Sequence, residues 1–470
     1  MESGLPMDME ARPDLAALLP AGALERLERD AGAMIVGIRP RGGGGASRDG
    51  AEIELRYPDG TVRRGYFGYS ARAEGARRRP GFEREASVLR ALSGPLKSAG
   101  VRAPEYLAAD EGCLGILTAF APGEPDFKKL TDPSDRSAVA ADFMAQLAAL
   151  HSIDIGQIEL RGFGPQVTAE AAIRARIAEH RAASQAAGGD PLILLALDWL
   201  ERNIPPEPER MVLLHGDAGP ANFLYEDGKV TALLDWELTH FGDPMADLAM
   251  ICIRNLFQPF VPLPEAFAAY EAAGGANVDL DRVRYYRAFF QVGFTGGAIA
   301  AGNPDAPPPP ALGMNLVYST AHMRILNEAL AEAAGLDLQD LELPDAAPGA
   351  HHRSFEIALA DLRDVIVPRA ADQQAATKAK GLARLVKWWR DSERWGPAFE
   401  RDEIAELSAA FGRPVASVAE GRQLFSSAIL GGGIDLATAI RLCHARVTRD
   451  TKLAADAMGA FATTHYKPLI

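Results

Sequence analysis

The stretch that most constrains the fold is a pair of short apolar runs joined by Asp227-Gly228. Asp-Gly is a strong hairpin signal, because both central residues of a tight hairpin turn have positive φ. A turn centred on this dipeptide places Asn222 opposite Leu233, so that Asp235 lies one diagonal step away on the same face. Diagonal neighbours are roughly 7–8 Å apart, close enough for an amide oxygen and a carboxylate to share one hard cation. We therefore predict a β-hairpin that brings Asn222 and Asp235 together.

Asp217 lies in the loop that leads into this hairpin, in the sequence His215-Gly216-Asp217. Phosphoryl transfer requires a carboxylate that accepts the hydroxyl proton, and oxygen ligands for the Mg²⁺ that neutralises the phosphates. The order H-x-D-x-x-x-x-N, with an aspartate closing the next strand, also matches the catalytic-loop pattern of kinases. We predict that Asp217 is the catalytic base, that Asn222 and Asp235 bind Mg²⁺, and that His215 serves packing and hydrogen bonding. The alternative, an ordinary hairpin with polar surface residues, does not account for this order and spacing together.

The segment from His215 through Asn222, together with Asp235-Trp236-Glu237, resembles the aminoglycoside phosphotransferase and choline kinase family. Protein kinases would instead have Arg at Gly216 and Phe-Gly after Asp235. The resemblance covers roughly residues 30–335. It implies an α+β, two-lobed protein-kinase-like fold, with a small β-rich N-lobe that binds ATP and a larger helical C-lobe.

A glycine run in the expected N-lobe, residues 42–45, lies between two predicted strands and is followed by Ser47. Glycines let backbone N–H groups approach phosphate closely, so Gly43, Gly44 and Ser47 are candidate phosphate-binding residues. A flexible connecting loop would have the same composition. The sequence leaves both interpretations open.

The strand that should carry the family's phosphate-binding lysine reads Arg63-Arg64-Gly65-Tyr66-Phe67, without lysine. Arg63, Arg64 or Arg72 could take its place, since guanidinium binds phosphate bidentately, although with a different reach. Glu85 matches the helix glutamate that pairs with this basic residue in the family, or it only favours the helix dipole. Phe120 ends a buried strand at the position of the family's hinge, where adenine hydrogen-bonds to the backbone.

The length of 470 residues predicts more than one domain, because one hydrophobic core rarely serves so long a chain. We expect an N-terminal segment over residues 1–29, a nucleotide-binding N-lobe over 30–120 and a catalytic, substrate-binding C-lobe over 121–343. A proline-rich stretch then marks the boundary to an all-helical C-terminal domain over 350–470, whose function the sequence does not identify. This domain is a candidate for homodimerisation or for binding a protein partner.

The formal net charge of −14 argues against nucleic acid and against an anionic membrane as partners, since both bind surfaces rich in Lys and Arg. The three cysteines are far apart, which fits a reducing compartment rather than a disulfide framework. No apolar run approaches the length of a membrane span, and the N-terminus does not resemble a signal peptide. We therefore expect a cytoplasmic protein.

Two functions are compatible with these features. The first is an ATP- and Mg²⁺-dependent phosphotransferase that moves the γ-phosphoryl group to a hydroxyl of a small molecule. The resembled family acts on aminoglycosides, choline and sugars, and includes domains linked to acyl-CoA dehydrogenases that phosphorylate hydroxyacyl substrates. The alternative is a catalytically weak kinase-like binding or scaffold protein that uses its C-terminal helices. The absence of lysine from the N-lobe strand is the reason to consider this alternative. The presence of Asp217, Asn222 and Asp235 favours the enzyme.

Overall fold

The structure is a computed structural model that describes residues 15–41, 49–70, 75–165, 167–296 and 311–470. The strands are β1 (Met34–Arg41), β2 (Asp49–Arg56), β3 (Val62–Tyr69), β4 (Tyr106–Asp110), β5 (Gly115–Ala119), β6 (Val212–Leu214), β7 (Phe223–Glu226), β8 (Lys229–Leu233) and β9 (His240–Gly242). The α-helices include α1 (Ala23–Ala31), α2 (Gly75–Ser93), α3 (Pro133–Ser152), α4 (Ala169–Ala186), α5 (Pro191–Arg202), α6 (Pro244–Phe257), α7 (Leu263–Ala272), α8 (Leu280–Phe294), α9 (Leu312–Ala333), α10 (His352–Asp361), α11 (Gln373–Phe411), α12 (Val418–Leu430) and α13 (Leu436–Met458).

The first five strands form one antiparallel sheet in the order β1-β2-β3-β5-β4. Ile53, Leu55 and Phe67 project from its strands into a core that also contains Leu24 and Leu27 of α1. Arg26 of α1 also donates two hydrogen bonds to the Asp110 carboxylate at the end of β4, with lengths of 2.9 and 2.8 Å. The segment expected to be a separate N-terminal piece therefore contributes a helix to the core of the sheet.

The linker that follows β5 is hydrogen-bonded to the hairpin β7–β8. Glu124 and Tyr225 exchange two backbone hydrogen bonds, of 2.9 and 3.2 Å. On the neighbouring strand, the Thr231 hydroxyl donates to the Pro122 carbonyl. The end of the sheet is thereby joined to the segment that carries the predicted catalytic residues.

Several helices begin with the same Asp-Pro pair. Asp132, Asp190 and Asp243 each accept hydrogen bonds from N–H groups in the first turn of α3, α5 and α6, and proline occupies the next position. An aspartate N-cap satisfies N–H groups that have no partner within the helix, and proline lacks the N–H that would need one. These pairs are the local reason why the helices start where they do.

The chain divides into two compact units. One contains residues 1–166, 208–278 and 470, and the other contains residues 167–207 and 279–469. This grouping differs from the expected boundary near residue 343, because helices from both sides of that point pack together in the second unit. Arg446 of α13, for example, donates two hydrogen bonds to Asp190 at the start of α5. The predicted domain boundaries remain predictions.

The predicted fold class is confirmed: a β-sheet lies in the N-terminal region, and the rest of the chain is mostly helical up to the C-terminal helices. Within the described ranges, no helix combines the length and the apolar composition that a membrane crossing requires.

Candidate active site

The hairpin β7–β8 turns at Asp227 and Gly228, whose φ values are 48° and 75°. These positive angles are those that the Asp-Gly signal predicts. Beside the turn, Tyr225 pairs with Val230, but the register shifts further along, so that Leu224 pairs with Ala232. One extra residue on β8, Thr231, therefore forms a bulge.

The bulge changes the environment of Asn222. Phe223 occupies the place opposite Leu233, so the expected pairing of Asn222 with Leu233 is wrong. Instead, the N–H of Leu234 donates to the Asn222 carbonyl at 2.8 Å. Because Asp235 directly follows Leu234, Asn222 and Asp235 still lie at the same end of the hairpin.

Asp217 is held by two side chains. Arg254 of α6 donates through Nε to Oδ1 at 2.7 Å and through Nη2 to Oδ2, which forms a bidentate ion pair. The amide nitrogen of Asn222 donates to Asp217 Oδ2 at 2.8 Å and to the Asp217 carbonyl at 2.9 Å. The carboxylate is thus fixed but not enclosed, since the Asp217 side chain retains 17% of its exposure.

The loop before Asp217 is fixed by Asp247, which is almost fully buried at the start of α6. Its two carboxylate oxygens accept the N–H groups of His215 and Gly216, each at 2.8 Å, and Oδ2 also contacts His151 at 3.1 Å. Burial would raise the pKa of Asp247, but the hydrogen bond and charge of His151, together with His215 and the Gly216 N–H, outweigh it and keep the pKa below its ordinary value. Asp247 is therefore an ionised support of the loop.

Gly216 and His215 show why the loop needs these residue types. Gly216 has φ of 82°, and a Cβ there would lie 2.1 Å from the Leu238 carbonyl oxygen, which leaves no room for the arginine of protein kinases. His215 is buried against the Trp236 ring, and its Nδ1 accepts the Asp217 N–H at 3.3 Å. Burial lowers the pKa of His215 despite the nearby carboxylates of Asp247 and Asp217. A neutral, buried imidazole fits the packing and hydrogen-bonding role that the sequence favoured.

The predicted metal ligands can be tested by their donor chemistry. Because the oxygens of Asp217 can only accept, the amide nitrogen of Asn222 must face them, which leaves its oxygen Oδ1 for a cation. Asp235 adopts the left-handed conformation, with φ of 66° and ψ of 64°, a strained geometry of the kind found at functional sites. No group of three or more His, Cys, Asp or Glu in the described ranges could hold a metal ion. An Asn–Asp pair still suits Mg²⁺, which usually takes one or two protein ligands together with phosphate oxygens and waters.

The predicted nucleotide-binding residues fall into two groups. Arg64 on β3 and Phe120 after β5 lie together, with the guanidinium carbon 4.5 Å from the ring centre, and Glu85 is buried on α2. Gly43, Gly44 and Ser47 lie outside the described residues, as does Arg72. The assignment of all these residues to ATP remains a prediction.

Arg254 is the site residue that the sequence analysis missed. It lies 37 positions after Asp217, on a different element, so no motif spacing connects the two. A signal was present, because Arg254 interrupts the apolar run Leu248–Phe257, and a charge on a helix that is buried along most of its length needs a partner. That signal predicts a carboxylate partner without identifying which one.

A sequence profile described as "Phosphotransferase enzyme family" matches residues 60–286. This match confirms, over these residues, the resemblance that the segment around Asp217 predicted.

Similar proteins of known name include acyl-CoA dehydrogenase family member 10 from Mus musculus, 30% identical over 198 residues, which are 40% of this chain and 18% of that protein. Acyl-CoA dehydrogenase family member 11 from Homo sapiens is 30% identical over 145 residues, which are 29% of this chain and 18% of that protein. The chain thus spans less than a fifth of the length of these relatives.

Similar solved structures include macrolide 2′-phosphotransferase from Brachybacterium faecium, with 19% identity, coverage of 65% of this chain and 100% of that chain, and a TM-score of 0.40. A type I macrolide 2′-phosphotransferase has 19% identity, coverage of 71% and 99%, and a TM-score of 0.44. The similarity to the phosphotransferase family rests on the sequence match over residues 60–286.

Proposed function

We propose that the protein is an ATP- and Mg²⁺-dependent phosphotransferase that transfers the γ-phosphoryl group to a hydroxyl of a small molecule. The observation that carries this proposal is the fixed carboxylate of Asp217, which Arg254 and Asn222 hold at the entry to the hairpin. An oriented and partly exposed carboxylate suits the acceptance of a hydroxyl proton.

The reaction would proceed by direct transfer. The acceptor hydroxyl gives its proton to Asp217, its oxygen forms a bond to the γ-phosphorus, and the bond from that phosphorus to the bridging oxygen of ATP breaks, so that ADP leaves. The hydrogen bonds from Arg254 and Asn222 keep the carboxylate in one orientation during this step. Such positioning is the main contribution that a protein makes to phosphoryl transfer.

The oxygen Oδ1 of Asn222 and the carboxylate of Asp235 would hold Mg²⁺. When bound, this ion would neutralise charge on the phosphates of ATP. Arg64 would contact the nucleotide in place of the missing lysine, and Phe120 would border the adenine. The contact between Arg64 and Phe120 is compatible with both residues lying beside one nucleotide.

The acceptor is proposed to be a hydroxyacyl-type alcohol rather than an aminoglycoside or choline. The relatives named above are acyl-CoA dehydrogenase family members, which supports an acyl-bearing acceptor. Arg254 also opposes a cationic acceptor, because its charge compensates that of Asp217 where the acceptor hydroxyl must bind.

The first experiment measures thermal stabilisation by ATP with and without Mg²⁺ in the wild type and in Asp235→Asn. A ligand at a hundredfold excess over its Kd stabilises a protein by about 2.7 kcal/mol, and we expect this effect to require Mg²⁺ and to be lost in the variant. Asp227→Asn is the matched control, because Asp227 has positive φ on the same hairpin but lies at its other end. Equal stabilisation of both variants would remove Asp235 from the metal site.

The second experiment screens hydroxyl-bearing metabolites for ATP-dependent phosphorylation, with Asp217→Asn as the comparison. Loss of a general base lowers turnover by about a hundredfold to ten-thousandfold, and we expect a loss in this range. Unchanged activity in this variant would remove the assigned base. Absence of any nucleotide effect in both experiments would support the alternative, a kinase-like binding or scaffold protein.

A further inference from the structure

Arg254 contacts the catalytic carboxylate with only one edge of its guanidinium. Nε and Nη2 bind Asp217, and Nη1 donates to the Pro220 carbonyl at 3.2 Å. A guanidinium has five N–H donors. Two of them, one on each terminal nitrogen, therefore have no protein acceptor among the described residues.

The side chain that carries these two donors is partly exposed. The Arg254 side chain retains 22% of its exposure, so the guanidinium is not sealed inside the protein. Its two terminal nitrogens form the second edge of the planar group, which matches the two oxygens of a carboxylate. A donor edge of this kind lies directly beside the carboxylate that would receive the acceptor proton.

The position of Arg254 is built into the loop. Gly219 has φ of 140°, and a Cβ there would lie 3.0 Å from both Cβ and Cδ of Arg254. The hydrogen bond to Pro220 fixes the guanidinium from the same loop. The loop thus makes room for the arginine and holds it, and two of the guanidinium donors have no acceptor among the described residues.

We propose that the acceptor carries a carboxylate close to its reacting hydroxyl, and that the open edge of Arg254 binds this carboxylate. This inference rests on the proposed phosphotransferase function and makes Arg254 the residue that selects the acceptor class. While Asp217 receives the hydroxyl proton, Arg254 holds the acceptor on the same guanidinium that orients the base. Acceptors with an ammonium group at this position are rejected, because two N–H donors and a positive charge face them.

The experiment compares acids with esters of the same skeleton. Binding of 3-hydroxybutyrate and 3-hydroxyoctanoate, and of their methyl esters, is measured by calorimetry on the full chain with Mg²⁺ and a non-hydrolysable ATP analogue. Each pair shares its hydroxyl and differs by the charge that Arg254 would bind. We expect each acid to bind on the order of tenfold more tightly than its ester, as for a charge-assisted hydrogen bond.

The variants separate this inference from the proposed function. Arg254→Gln should reduce the ratio of acid affinity to ester affinity to about one. Arg254→Lys should retain part of this preference. The lysine variant tests the same point if the glutamine variant folds poorly. Asp217→Asn should abolish phosphorylation but keep the preference for acids, because Arg254 remains in place. Arg136→Gln is the matched control, since Arg136, on α3, also donates hydrogen bonds to backbone carbonyls. Its ratio of acid affinity to ester affinity should equal that of the wild type.

The inference would be overturned if the wild type bound acids and esters equally, if Arg254→Gln kept the preference for acids, or if neither acid bound measurably. The proposed function is decided separately, by turnover and by nucleotide binding.

Discussion

Two bidentate pairs between aspartate and arginine show how one interaction serves different ends in the two compact units. In the first unit, Arg254 binds Asp217 through Nε and Nη2, the side edge of the guanidinium. In the second unit, Arg446 binds Asp190 through Nη1 and Nη2, at 2.8 and 2.9 Å. The side chain of Arg254 is 22% exposed, whereas that of Arg446 is 7% exposed.

The difference follows from which edge is used and from what else the carboxylate binds. Asp190 also accepts hydrogen bonds from the N–H groups of Leu192 and Ile193, so its carboxylate caps the start of α5. Asp217 caps no helix in the described part of the chain, and it also binds the amide of Asn222. The pair whose guanidinium is buried and whose carboxylate also caps a helix is structural, while the pair with a partly exposed guanidinium and a carboxylate outside any helix start is available for chemistry.

The largest effect on stability is expected when the structural pair is broken. Arg446→Met should lower the free energy of unfolding by about 3 kcal/mol, the lower end of the cost of breaking a buried ion pair, because Asp190 keeps some access to water. Urea unfolding measures this change, and turnover per folded molecule should stay within about twofold of the wild type. A loss of turnover beyond the loss of folded protein would contradict the contrast between the two pairs.

A smaller effect, but one on both stability and activity, is expected at Gly216. Gly216→Ala introduces a Cβ 2.1 Å from the Leu238 carbonyl oxygen in addition to positive-φ strain, so we expect a loss of about 2 kcal/mol and a fall in turnover. Gly228→Ala is the control, because Gly228 has φ of 75° but nothing within 4 Å of its Cβ position. That variant should lose only about 1 kcal/mol and remain active. Similar activity losses in both variants would show that strain alone, not the position of the loop before Asp217, is responsible.

An effect of similar size, but one that depends on pH, is expected in the second unit. His322 lies on α9 and contacts Gln291 of α8, and burial lowers the pKa of His322 from 6.5 to about 4. The unfolded chain therefore takes up the proton first, so this residue's contribution to stability falls as the pH drops from 6.5 towards 4, by about 1.4 kcal/mol per pH unit. Urea unfolding at pH 7 and pH 5 should show a loss about 2 kcal/mol larger in the wild type than in His322→Asn. An equal loss in both would mean that His322 is not kept neutral by burial.

The sequence predicted those features of the site that depend on local signals. The turn at Asp227-Gly228 follows from the demand for positive φ, and the loop of Asp217 and Asn222 follows from motif spacing. The bulge at Thr231 was not predictable in this way, because nothing in the alternation of β7 and β8 requires an extra residue. The register was therefore wrong by one residue at the position that mattered for Asn222.

Long-range partners were the other limit. Arg254 reaches Asp217 across 37 positions, and Asp190 meets Arg446 across 256, so neither pair has a sequence spacing that identifies it. The proline-rich stretch near residue 343 gave a strong local signal for a boundary, yet the helices on its two sides share one compact unit. Local chemistry predicts elements and motifs, while the choice of partner depends on how the helices pack.

The helix before the first strand has a consequence for shortened versions of the protein. Leu24 and Leu27 fill the space over Ile53, Leu55 and Phe67, and Arg26 neutralises Asp110 at the edge of the same sheet. Removing the residues before β1 would expose the hydrophobic residues of the sheet that this helix covers. It would also leave the Asp110 carboxylate without its arginine partner. Such a fragment would be prone to aggregate even though its predicted catalytic loop is unchanged.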